Sequence, residues 1–432
     1  MNGFADRAAL ETLQRDALGP MIRELARFNR FYRPRLEAAG LECGPLDLDD
    51  YFARMPFTFK HELVEDQRLC PPYGTIPTWP LDRYTRFHQT SGTRDSPLRW
   101  LDTPESWSWM VDNWVEVFQV SGVIPGDRIF FPFSFGPFLG FWTAFEAGSR
   151  LGCLCLPGGG MSSVARLKIL LENEATVLCC TPTYALRLAD VAREERIDLR
   201  QSCVKTILVA GEPGGAVPSV RDLIERSWPG ASVRDHHGMT EVGPVSYECP
   251  ARPGTLHVIE RSFIAEVVDP ESGKAVERGG EGELTLTNLG RVGSPLLRYR
   301  TGDRVKRGSE LVCACGRSDL ALEGGILGRW DDMVIVRGVN LTPGAIDEVL
   351  RRFDEIAEYR ATVMNDGSML DLNIELEATP ECADPPALAR AVETTLRASF
   401  HLRLPVSLAT AGSLPRFEMK AKRWIDSRTP SL

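Results

Sequence analysis

Short apolar runs alternate with amphipathic segments in the first half of the chain, and this alternation restricts the possible fold more than any other feature of the sequence. Residues 128–133, 177–181 and 206–210 are apolar enough to be buried strands, whereas residues 164–173 and 184–195 have the spacing of helices with one apolar face. Strands that alternate with helices in this way usually pair in parallel, because each helix carries the chain back across the sheet. The sequence therefore predicts a layered α/β domain with a largely parallel sheet.

The chain changes in character on both sides of this region. The first 50 residues favour polar-faced helices, and residues from about 250 to 325 favour short strands joined by glycine and charged turns. A glycine-rich joint at 323–329 precedes a tail whose pattern predicts several strands and two helices. We expect an α/β protein with a large N-terminal domain over residues 1–327, including the β-rich subdomain, and a small α+β C-terminal domain over residues 328–432.

Composition and charge exclude several classes of protein. Hydrophobic residues make up 43% of the chain and charged residues 25%, and the net charge is −9 with the positive residues scattered. Scattered positive charge offers no surface for nucleic acid, and no apolar run reaches membrane-spanning length. The amino terminus lacks a secretory signal pattern, and the eleven cysteines, mostly in apolar surroundings, fit a reducing compartment. We therefore expect a cytoplasmic enzyme without nucleic-acid or membrane partners.

A polar loop lies between two strand-like segments, 83–87 and 98–101. Its residues are Thr90, Ser91, Gly92, Thr93, Arg94, Asp95, Ser96 and Pro97. Small residues allow the backbone to approach a ligand closely, and successive N–H groups and hydroxyls can converge on phosphate oxygens. The same residue types also form ordinary solvent-exposed turns, so the loop alone leaves both interpretations open.

Four more polar motifs follow along the chain. They are Asp235-His236-His237-Gly238-Met239-Thr240-Glu241, a segment from Leu297 that ends a strand at Asp303, the segment 328–340, and the segment 414–423 that contains Lys420. Singly, each has an ordinary explanation as a helix cap, a turn or a solvated face. In this order and spacing, however, they resemble the motifs of the adenylate-forming superfamily, specifically its phenylacetate–coenzyme A ligase-like branch. The likeness covers essentially the whole chain and includes residues 55–60, 182–184 and 210–213.

The resemblance implies an enzyme that activates a carboxylic acid. In this superfamily the acid attacks the α-phosphate of ATP, which yields an acyl adenylate and pyrophosphate, and a nucleophile then displaces AMP. Such chemistry depends mainly on positioning and on stabilisation of charge. The branch implies coenzyme A as the acyl acceptor, Mg²⁺ as an assisting ion, and a small C-terminal domain that is mobile between the two steps. It also implies a homodimer.

The same resemblance implies roles for individual residues. Thr240 would contact the α-phosphate, Glu241 would bind Mg²⁺, and Lys420 would reach the carboxylate and the α-phosphate during adenylation. Asp303 would accept hydrogen bonds from the ribose hydroxyls, and Arg329 would lie near the ribose and phosphates. The remaining implied residues are Thr90, Ser91, Gly92, Thr93 and Arg94 around the phosphates, Gly211, Glu212, Pro213, Asp235, His236, His237, Gly238 and Met239 around the adenine, and Asp331 at the hinge of the C-terminal domain.

Residues 131–142 are dense in aromatic side chains. An ordinary packed corner between a strand and a helix explains such a run as well as a binding pocket does. In the family that the chain resembles this region lines the acid pocket, so Phe135, Phe138 and Gly140 are the expected contacts, with Ala210 opposite. A flat aromatic carboxylate fits such walls, and the run contains no cationic residue that would recognise a second acid group.

Cys249, His257, Cys313 and Cys315 form a second set of interest, because their neighbours in the sequence are not apolar. Three thiolates and an imidazole make a tetrahedral zinc site. The spacing alone is only suggestive, but some members of the branch carry a similar set in the same β-rich region. Structural zinc is the first interpretation, and unliganded surface thiols are the alternative.

Three positions depart from the family pattern. Ser96 stands where relatives carry a phosphate-loop lysine, whose charge Arg94 could replace. His237 stands where a tyrosine usually stacks on adenine, and Met419 replaces the glycine before Lys420. The leading interpretation is an aryl-acid–coenzyme A ligase. The alternatives are an adenylating enzyme that passes the acyl group to an amine, a hydroxyl or a carrier-protein thiol, and a regulator that binds nucleotide without catalysis.

Overall fold

The structure is a computed structural model that describes residues 6–42, 46–90, 97–365, 370–417 and 421–427. The α-helices in these ranges are α1 Arg7–Phe28, α2 Arg33–Ala39, α3 Leu48–Arg54, α4 Lys60–Leu69, α5 Pro104–Val120, α6 Leu139–Leu151, α7 Ser163–Glu172, α8 Pro182–Glu194, α9 Pro218–Ser227, α10 Pro343–Leu350 and α11 Pro385–Phe400. None of these helices has both the length and the apolar character that crossing a membrane requires.

The strands pair within six separate sheets or hairpins. They are β1 Arg86–Gln89, β2 Arg99–Asp102, β3 Arg128–Phe131, β4 Leu154–Pro157, β5 Val177–Cys180, β6 Thr206–Ala210, β7 Ser232–His236, β8 Gly238–Met239, β9 Gly243–Pro244, β10 Ser246–Glu248, β11 Thr255–Val258, β12 Phe263–Val268, β13 Glu281–Asn288, β14 Tyr299–Arg307, β15 Ala321–Arg329, β16 Val334–Val336, β17 Val339–Leu341, β18 Ile356–Asn365, β19 Leu370–Ala378, β20 Val406–Leu408 and β21 Trp424–Asp426.

Two helices beside the parallel sheet, α5 and α8, begin with the same local signal. Thr103 and Thr181 each accept a hydrogen bond from the backbone N–H three residues further on. The next residues, Pro104 and Pro182, have no N–H to leave unpaired, and their fixed φ suits the first helical turn. These starts fix where the two helices leave the sheet.

Five strands form a parallel sheet in the order β4-β3-β5-β6-β7. Ile129 and Phe131 of β3 pack into one core with α5 and α6, whereas Phe130, between them, packs into a second core with α7, α8 and α9. Alternate residues of a strand point to opposite faces, so a strand covered on both faces is apolar throughout. The predicted parallel α/β sheet is confirmed.

A six-stranded antiparallel sheet follows, in the order β10-β11-β15-β14-β13-β12. The expectation that a strand ends at Asp303 is wrong, because Asp303 lies in the middle of β14. Gly302 has a φ of 79°, and this conformation lets the strand bulge and continue instead of ending. The glycine-rich segment 323–329 is likewise part of β15, which pairs with β14 through Arg329, and the positive φ of Gly324 and Gly325 accompanies shifts in the register of that pairing.

The tail folds around its own core. Its four-stranded sheet has the order β20-β19-β18-β21, and α10 and α11 contribute to the same apolar cluster, whose buried members lie between Val334 and Leu404. The predicted class, a large α/β part with a β-rich section and a small α+β tail, is confirmed. The expected boundary between residues 327 and 328 falls inside β15, and it stays a prediction.

Candidate active site

Predicted site residues gather at the carboxyl edge of the parallel sheet. β6 ends at Ala210 and β7 at His236, and these two residues are partners in the strand pairing. The segments 211–213 and 235–239, both predicted to surround adenine, are therefore neighbours. Ligands of open parallel sheets bind at this edge, because the loops that leave the strands converge there on one crevice.

The carboxylate of Asp303 lies between two nitrogen-bearing side chains. His237 Nε2 is 3.0 Å from Asp303 Oδ2, and Arg329 Nη1 donates to Asp303 Oδ1 over 3.2 Å. Arg329 also donates from Nε to Asp331 over 2.9 Å. His237 Nδ1 is buried and has no hydrogen-bond partner within the described part of the chain. The structure thus joins four predicted residues in one polar cluster that has hydrogen-bonding capacity left for a ligand.

Burial changes the protonation of two neighbouring motif residues. It raises the pKa of Asp235 to about 7, with the charge of Glu248 acting in the same direction, and it lowers the pKa of His236 to about 3. The ring of His236 packs on Trp114 with centroids 4.2 Å apart, and its Nδ1 lies 2.5 Å from the carbonyl oxygen of Ser246. His236 is therefore a neutral imidazole that donates from Nδ1, whereas Asp235 titrates near neutral pH.

Glu241 is buried beside a lysine. Its Oε1 lies 3.7 Å from Lys60 Nζ, and the backbone carbonyls of Thr240 and Glu241 accept hydrogen bonds from Arg291 over 2.7 and 2.9 Å. Burial, together with the charges of Glu241 and Asp303, raises the pKa of Tyr299, which puts both carboxylates within electrostatic range of one phenol. A carboxylate is the ligand type that Mg²⁺ prefers.

Lys60 and Arg291 were missed as site residues from the sequence. Only its place in the family-like segment 55–60 could have identified Lys60 as a site residue from the sequence, and nothing in the sequence could have identified Arg291. A lone basic residue in a sequence usually marks a solvated face. Only the fold shows that these two contact the motif at 240–241.

Glu212 connects the N-terminal part to the end of the chain. Its Oε1 accepts a hydrogen bond from Thr183 N–H over 2.8 Å, and its Oε2 accepts one from Ala421 N–H over 2.9 Å. Ala421 directly follows Lys420, which itself lies outside the described residues. The predicted catalytic lysine is therefore one position away from a residue that contacts the predicted adenine site.

The predicted phosphate loop is described only at its base. Thr90 N–H donates to the carbonyl oxygen of Leu98 over 3.0 Å, and Leu98 N–H donates to Thr90 Oγ1 over 3.0 Å, which closes the β1–β2 hairpin. Gln89 N–H donates to the carbonyl oxygen of Pro137 over 2.8 Å, so the hairpin borders the aromatic segment. The other loop residues, Ser91, Gly92, Thr93 and Arg94, lie outside the described residues, and their roles stay predictions.

The aromatic segment after β3 forms a cluster of rings at the same sheet edge. Phe135 lies 5.0 Å from Trp142 and Phe138 lies 6.1 Å from Phe141, measured between ring centroids. Both Phe135 and Phe138 are only partly buried, and Gly140 of α6 is exposed with open space where a Cβ would be. Partly covered rings around a small residue suit an apolar wall for a ligand.

The four cysteine and histidine residues predicted as zinc ligands come together in the antiparallel sheet. One possible ligand atom from each of Cys249, His257, Cys313 and Cys315 lies within 4.8 Å of all the others. His257 Nδ1 is 3.2 Å from the carbonyl oxygen of Asp319, so Nε2, 3.4 Å from Cys315 Sγ, faces the cluster. A metal-bound histidine usually donates from its other ring nitrogen to a carbonyl oxygen, as His257 Nδ1 can to Asp319, and the donor set fits tetrahedral zinc.

Comparisons with known proteins agree with this arrangement. The family model described as AMP-binding enzyme matches residues 106–290, and that of the AMP-binding enzyme C-terminal domain matches residues 338–428. A phenylacetate–coenzyme A ligase of Aromatoleum evansii is 29% identical, with 98% of this chain and 96% of the relative covered. A phenylacetate–coenzyme A ligase of Thermus thermophilus is 28% identical, with 98% and 97% covered.

Among solved structures, a 2-hydroxyisobutyryl–coenzyme A ligase is similar in two of its states. In the postadenylation state, in complex with R3-HIB-AMP, it gives a TM-score of 0.91 at 27% identity, with 99% of this chain and 91% of that chain covered. In the thioesterification state, in complex with 2-HIB-AMP and coenzyme A, the TM-score is 0.70 at the same 27% identity, with 98% and 91% covered.

The fold, the site and both family models define the class of the protein. The chain belongs to the adenylate-forming superfamily of ATP-dependent acid–thiol ligases. Within that superfamily it falls in the phenylacetate–coenzyme A ligase-like branch, with which it shares sequence over almost its full length.

Proposed function

We propose that this protein activates an aromatic carboxylic acid with ATP and transfers the acyl group to coenzyme A. The observation that carries the proposal is the polar cluster at the carboxyl edge of the parallel sheet, where Asp303 contacts His237 and Arg329 and where Glu241 contacts Lys60. A buried carboxylate with spare acceptor capacity suits the two ribose hydroxyls, and a carboxylate beside an ammonium group suits a polyphosphate with its cation.

The proposed nucleotide-binding roles are those that the family implies. Asp303 accepts hydrogen bonds from the ribose, Arg329 lies near the phosphates, and Thr240 contacts the α-phosphate. The phosphate loop from Thr90 to Arg94 holds the departing phosphates. The adenine lies among Gly211, Glu212, Pro213, Asp235, His236, His237, Gly238 and Met239. Glu241 would hold Mg²⁺, which would supply positive charge to the phosphates.

Two displacements make up the proposed reaction. In the first, a carboxylate oxygen of the acid bonds to the α-phosphorus, and the bond from that phosphorus to pyrophosphate breaks. In the second, the sulfur of coenzyme A bonds to the acyl carbon, AMP leaves with the oxygen, and the thiol proton passes to solvent. Lys420 assists the first step with a flexible ammonium group, and the region around Asp331 is the hinge on which the tail moves before the second.

The acid pocket is proposed from the aromatic segment. Phe135 and Phe138 are partly exposed, Gly140 has open space where a Cβ would be, and residues 131–142 contain no positive charge. Ala210 would lie opposite these residues. An aryl acid offers a flat apolar body to such rings, and aromatic pairs in offset or edge-on geometry gain about 1 kcal/mol beyond the apolar area they bury.

A different acyl acceptor is the second candidate. Met419 stands directly before Lys420 and Ser96 ends the phosphate loop, where relatives carry glycine and lysine. These departures favour a biosynthetic variant of the enzyme, which would form the same adenylate but pass the acyl group to an amine, a hydroxyl or a carrier-protein thiol.

Structural zinc is part of the proposal. The compact set of Cys249, His257, Cys313 and Cys315 would hold one zinc ion and so tie the end of β10 and strand β11 to the loop before β15. The ion lies in the antiparallel sheet, so its role would be in stability and not in the reaction.

Pyrophosphate release with a panel of acids tests the proposal. We expect release that depends on an aryl acid, is abolished by Lys420→Ala, and is retained by the matched control Lys422→Ala. Addition of coenzyme A should then give an acyl thioester identifiable by mass, whereas product only with amines or a carrier protein would select the second candidate. No acid-dependent release by the wild type, or full activity of Lys420→Ala, would contradict the mechanism.

A further inference from the structure

Arg291 is a fully buried arginine in the segment between β13 and β14. Its exposed fraction is 0%, and so is that of Asp102, with which it forms a two-pronged ion pair, Nε to Oδ1 over 2.6 Å and Nη2 to Oδ2 over 2.7 Å. The remaining nitrogen, Nη1, donates to the carbonyl oxygens of Thr240 and Glu241 over 2.7 and 2.9 Å. One rigid guanidinium group therefore contacts two segments that carry different predicted roles.

Asp102 belongs to the support of the phosphate loop. It is the last residue of β2. Strand β2 pairs with β1, Arg86–Gln89, and these two strands flank the loop. Asp102 pairs with Arg86, and the pairing continues along the hairpin to Gln89 and Arg99, next to Thr90 at the loop base, which exchanges hydrogen bonds with Leu98 in both directions.

Thr240 and Glu241 are the other half of the proposed phosphate site. Arg291 bonds to their backbone carbonyls, so it orients the segment from which both side chains project without occupying the position of a ligand. A guanidinium is planar and presents its donors in a fixed fork, so it can bind a carboxylate along one edge and carbonyls along the other. An ammonium group cannot hold both partners in this geometry.

We propose that Arg291, held by Asp102, is a positioning residue that fixes the distance between the base of the phosphate loop, at Thr90, and the backbone of Thr240 and Glu241. This proposal rests on the proposed function. Adenylation needs both elements, because pyrophosphate leaves from one while the α-phosphate is held by the other. Thioester formation needs only the adenylate that is already bound. Loss of the clamp should therefore impair the first half-reaction much more than the second.

Two variants and one control test this assignment. Arg291→Lys keeps the charge but loses the fork, and Asp102→Asn keeps the shape but weakens the ion pair, so at least one should fold. Ser294→Ala is the matched control. Ser294 is also fully buried in the segment between β13 and β14 and donates to the carbonyl oxygen of Leu101 in β2 over 2.6 Å, but no contact with Thr240 or Glu241 is described for it.

Three measurements separate positioning from a general loss of structure. We expect acid-dependent pyrophosphate release to fall about 100-fold in the two variants, since a misplacement of about 1 Å in a reacting site costs that much. Thioester formation from chemically synthesised acyl adenylate should fall by no more than about tenfold. In calorimetric titrations, binding of MgATP should weaken more than binding of AMP, because AMP keeps the α-phosphate beside Thr240 but lacks the departing phosphates.

The outcomes distinguish the two levels of the proposal. Equal losses of rate in both half-reactions, or equally weakened binding of MgATP and AMP, would contradict the positioning role and show that Arg291 only supports the fold. Unchanged pyrophosphate release would overturn the assignment. A wild type that binds MgATP but releases no pyrophosphate with any acid would contradict the proposed function, and the comparison of MgATP with AMP would still decide the role of Arg291.

Discussion

Removal of one cysteine from the four-residue cluster should destabilise the antiparallel sheet by a predictable amount. The cluster brings Cys249 to Cys313, which are 64 positions apart, and His257 to Cys315, which are 58 apart. A cross-link over loops of this length lowers the entropy of the unfolded chain by an amount worth about 4 kcal/mol at 25 °C. A metal ion bound by all four ligands provides such a cross-link, and free thiols do not.

Cys315→Ala is the appropriate change, because Cys315 is only partly buried and its loss leaves little cavity. If the four residues hold zinc, the purified wild type should contain about one zinc ion per chain and the variant essentially none. A loss of about 4 kcal/mol should lower the melting temperature by roughly 6 °C in a domain of this size, which gains about 0.7 kcal/mol/K of entropy on unfolding. After treatment with a strong chelator, the wild type should have the same melting temperature as the variant. Added zinc should then restore the original melting temperature of the wild type and leave that of the variant unchanged.

Cys203→Ser is the control, because Cys203 is an exposed cysteine outside the cluster. It should keep both the metal content and the melting temperature of the wild type. Wild-type protein that contains no stoichiometric zinc when purified without chelator would refute the reasoning. The same conclusion follows if the variant and the wild type melt together, because the cluster then gives no cross-link.

Three further changes test other parts of the site. Lys60→Gln should raise the KM for MgATP about fivefold in pyrophosphate assays, because a half-exposed ammonium group beside Glu241 is worth about 1 kcal/mol. Phe135→Ala should raise the KM for an aryl acid about 30-fold and that for a short aliphatic acid much less, from the loss of about 2 kcal/mol of apolar contact. The pKa of Asp235 is raised from 3.8 to about 7, chiefly by burial and then by Glu248, so the folded protein binds a proton that the unfolded chain has lost. Stability should therefore fall as the pH rises from about 4 to about 7, and melting curves should show that Asp235→Asn reduces this fall.

Local patterns predicted the sheet that carries the site. Buried strands such as 177–181 show themselves as continuous apolar runs, because both faces are covered by helices, and the amphipathic segments between them have no other stable partner. The parallel direction of the strands places the loops that follow them at one edge, which the motifs at 211–213 and 235–241 share, and the observed pairing of β6 with β7 makes these two motifs neighbours. The proximity of Cys249, His257, Cys313 and Cys315 was predictable for a similar reason, since thiol and imidazole groups are the usual ligands of a metal ion.

Contacts between distant segments could not be predicted in this way. Arg291 and Asp102 are 189 positions apart, and nothing in either neighbourhood distinguishes their buried ion pair from two solvated charges. The wrong end assigned to a strand at Asp303 has a different cause. Glycine at 302 permits a turn as well as a bulge, and pairing with β13 and β15 on either side selects the bulge.

The contacts between the tail and the rest of the chain bear on how the two half-reactions alternate. The overall arrangement is closer to the postadenylation state of the 2-hydroxyisobutyryl–coenzyme A ligase than to its thioesterification state. Among the described contacts, Ala421 bonds to Glu212, Arg423 donates to Thr183 over 3.3 Å, and Arg226 pairs with Asp354 over 3.0 Å with both side chains largely exposed.

The contacts named here are polar, and exposed ion pairs such as the last one contribute only about 0–1 kcal/mol each. The apolar core of the tail, by contrast, is closed within itself. A domain that keeps its own core and meets its neighbour through weak polar contacts can rotate without exposing a large apolar surface. The proposed change of position after adenylation therefore requires only that these contacts exchange for others of similar strength.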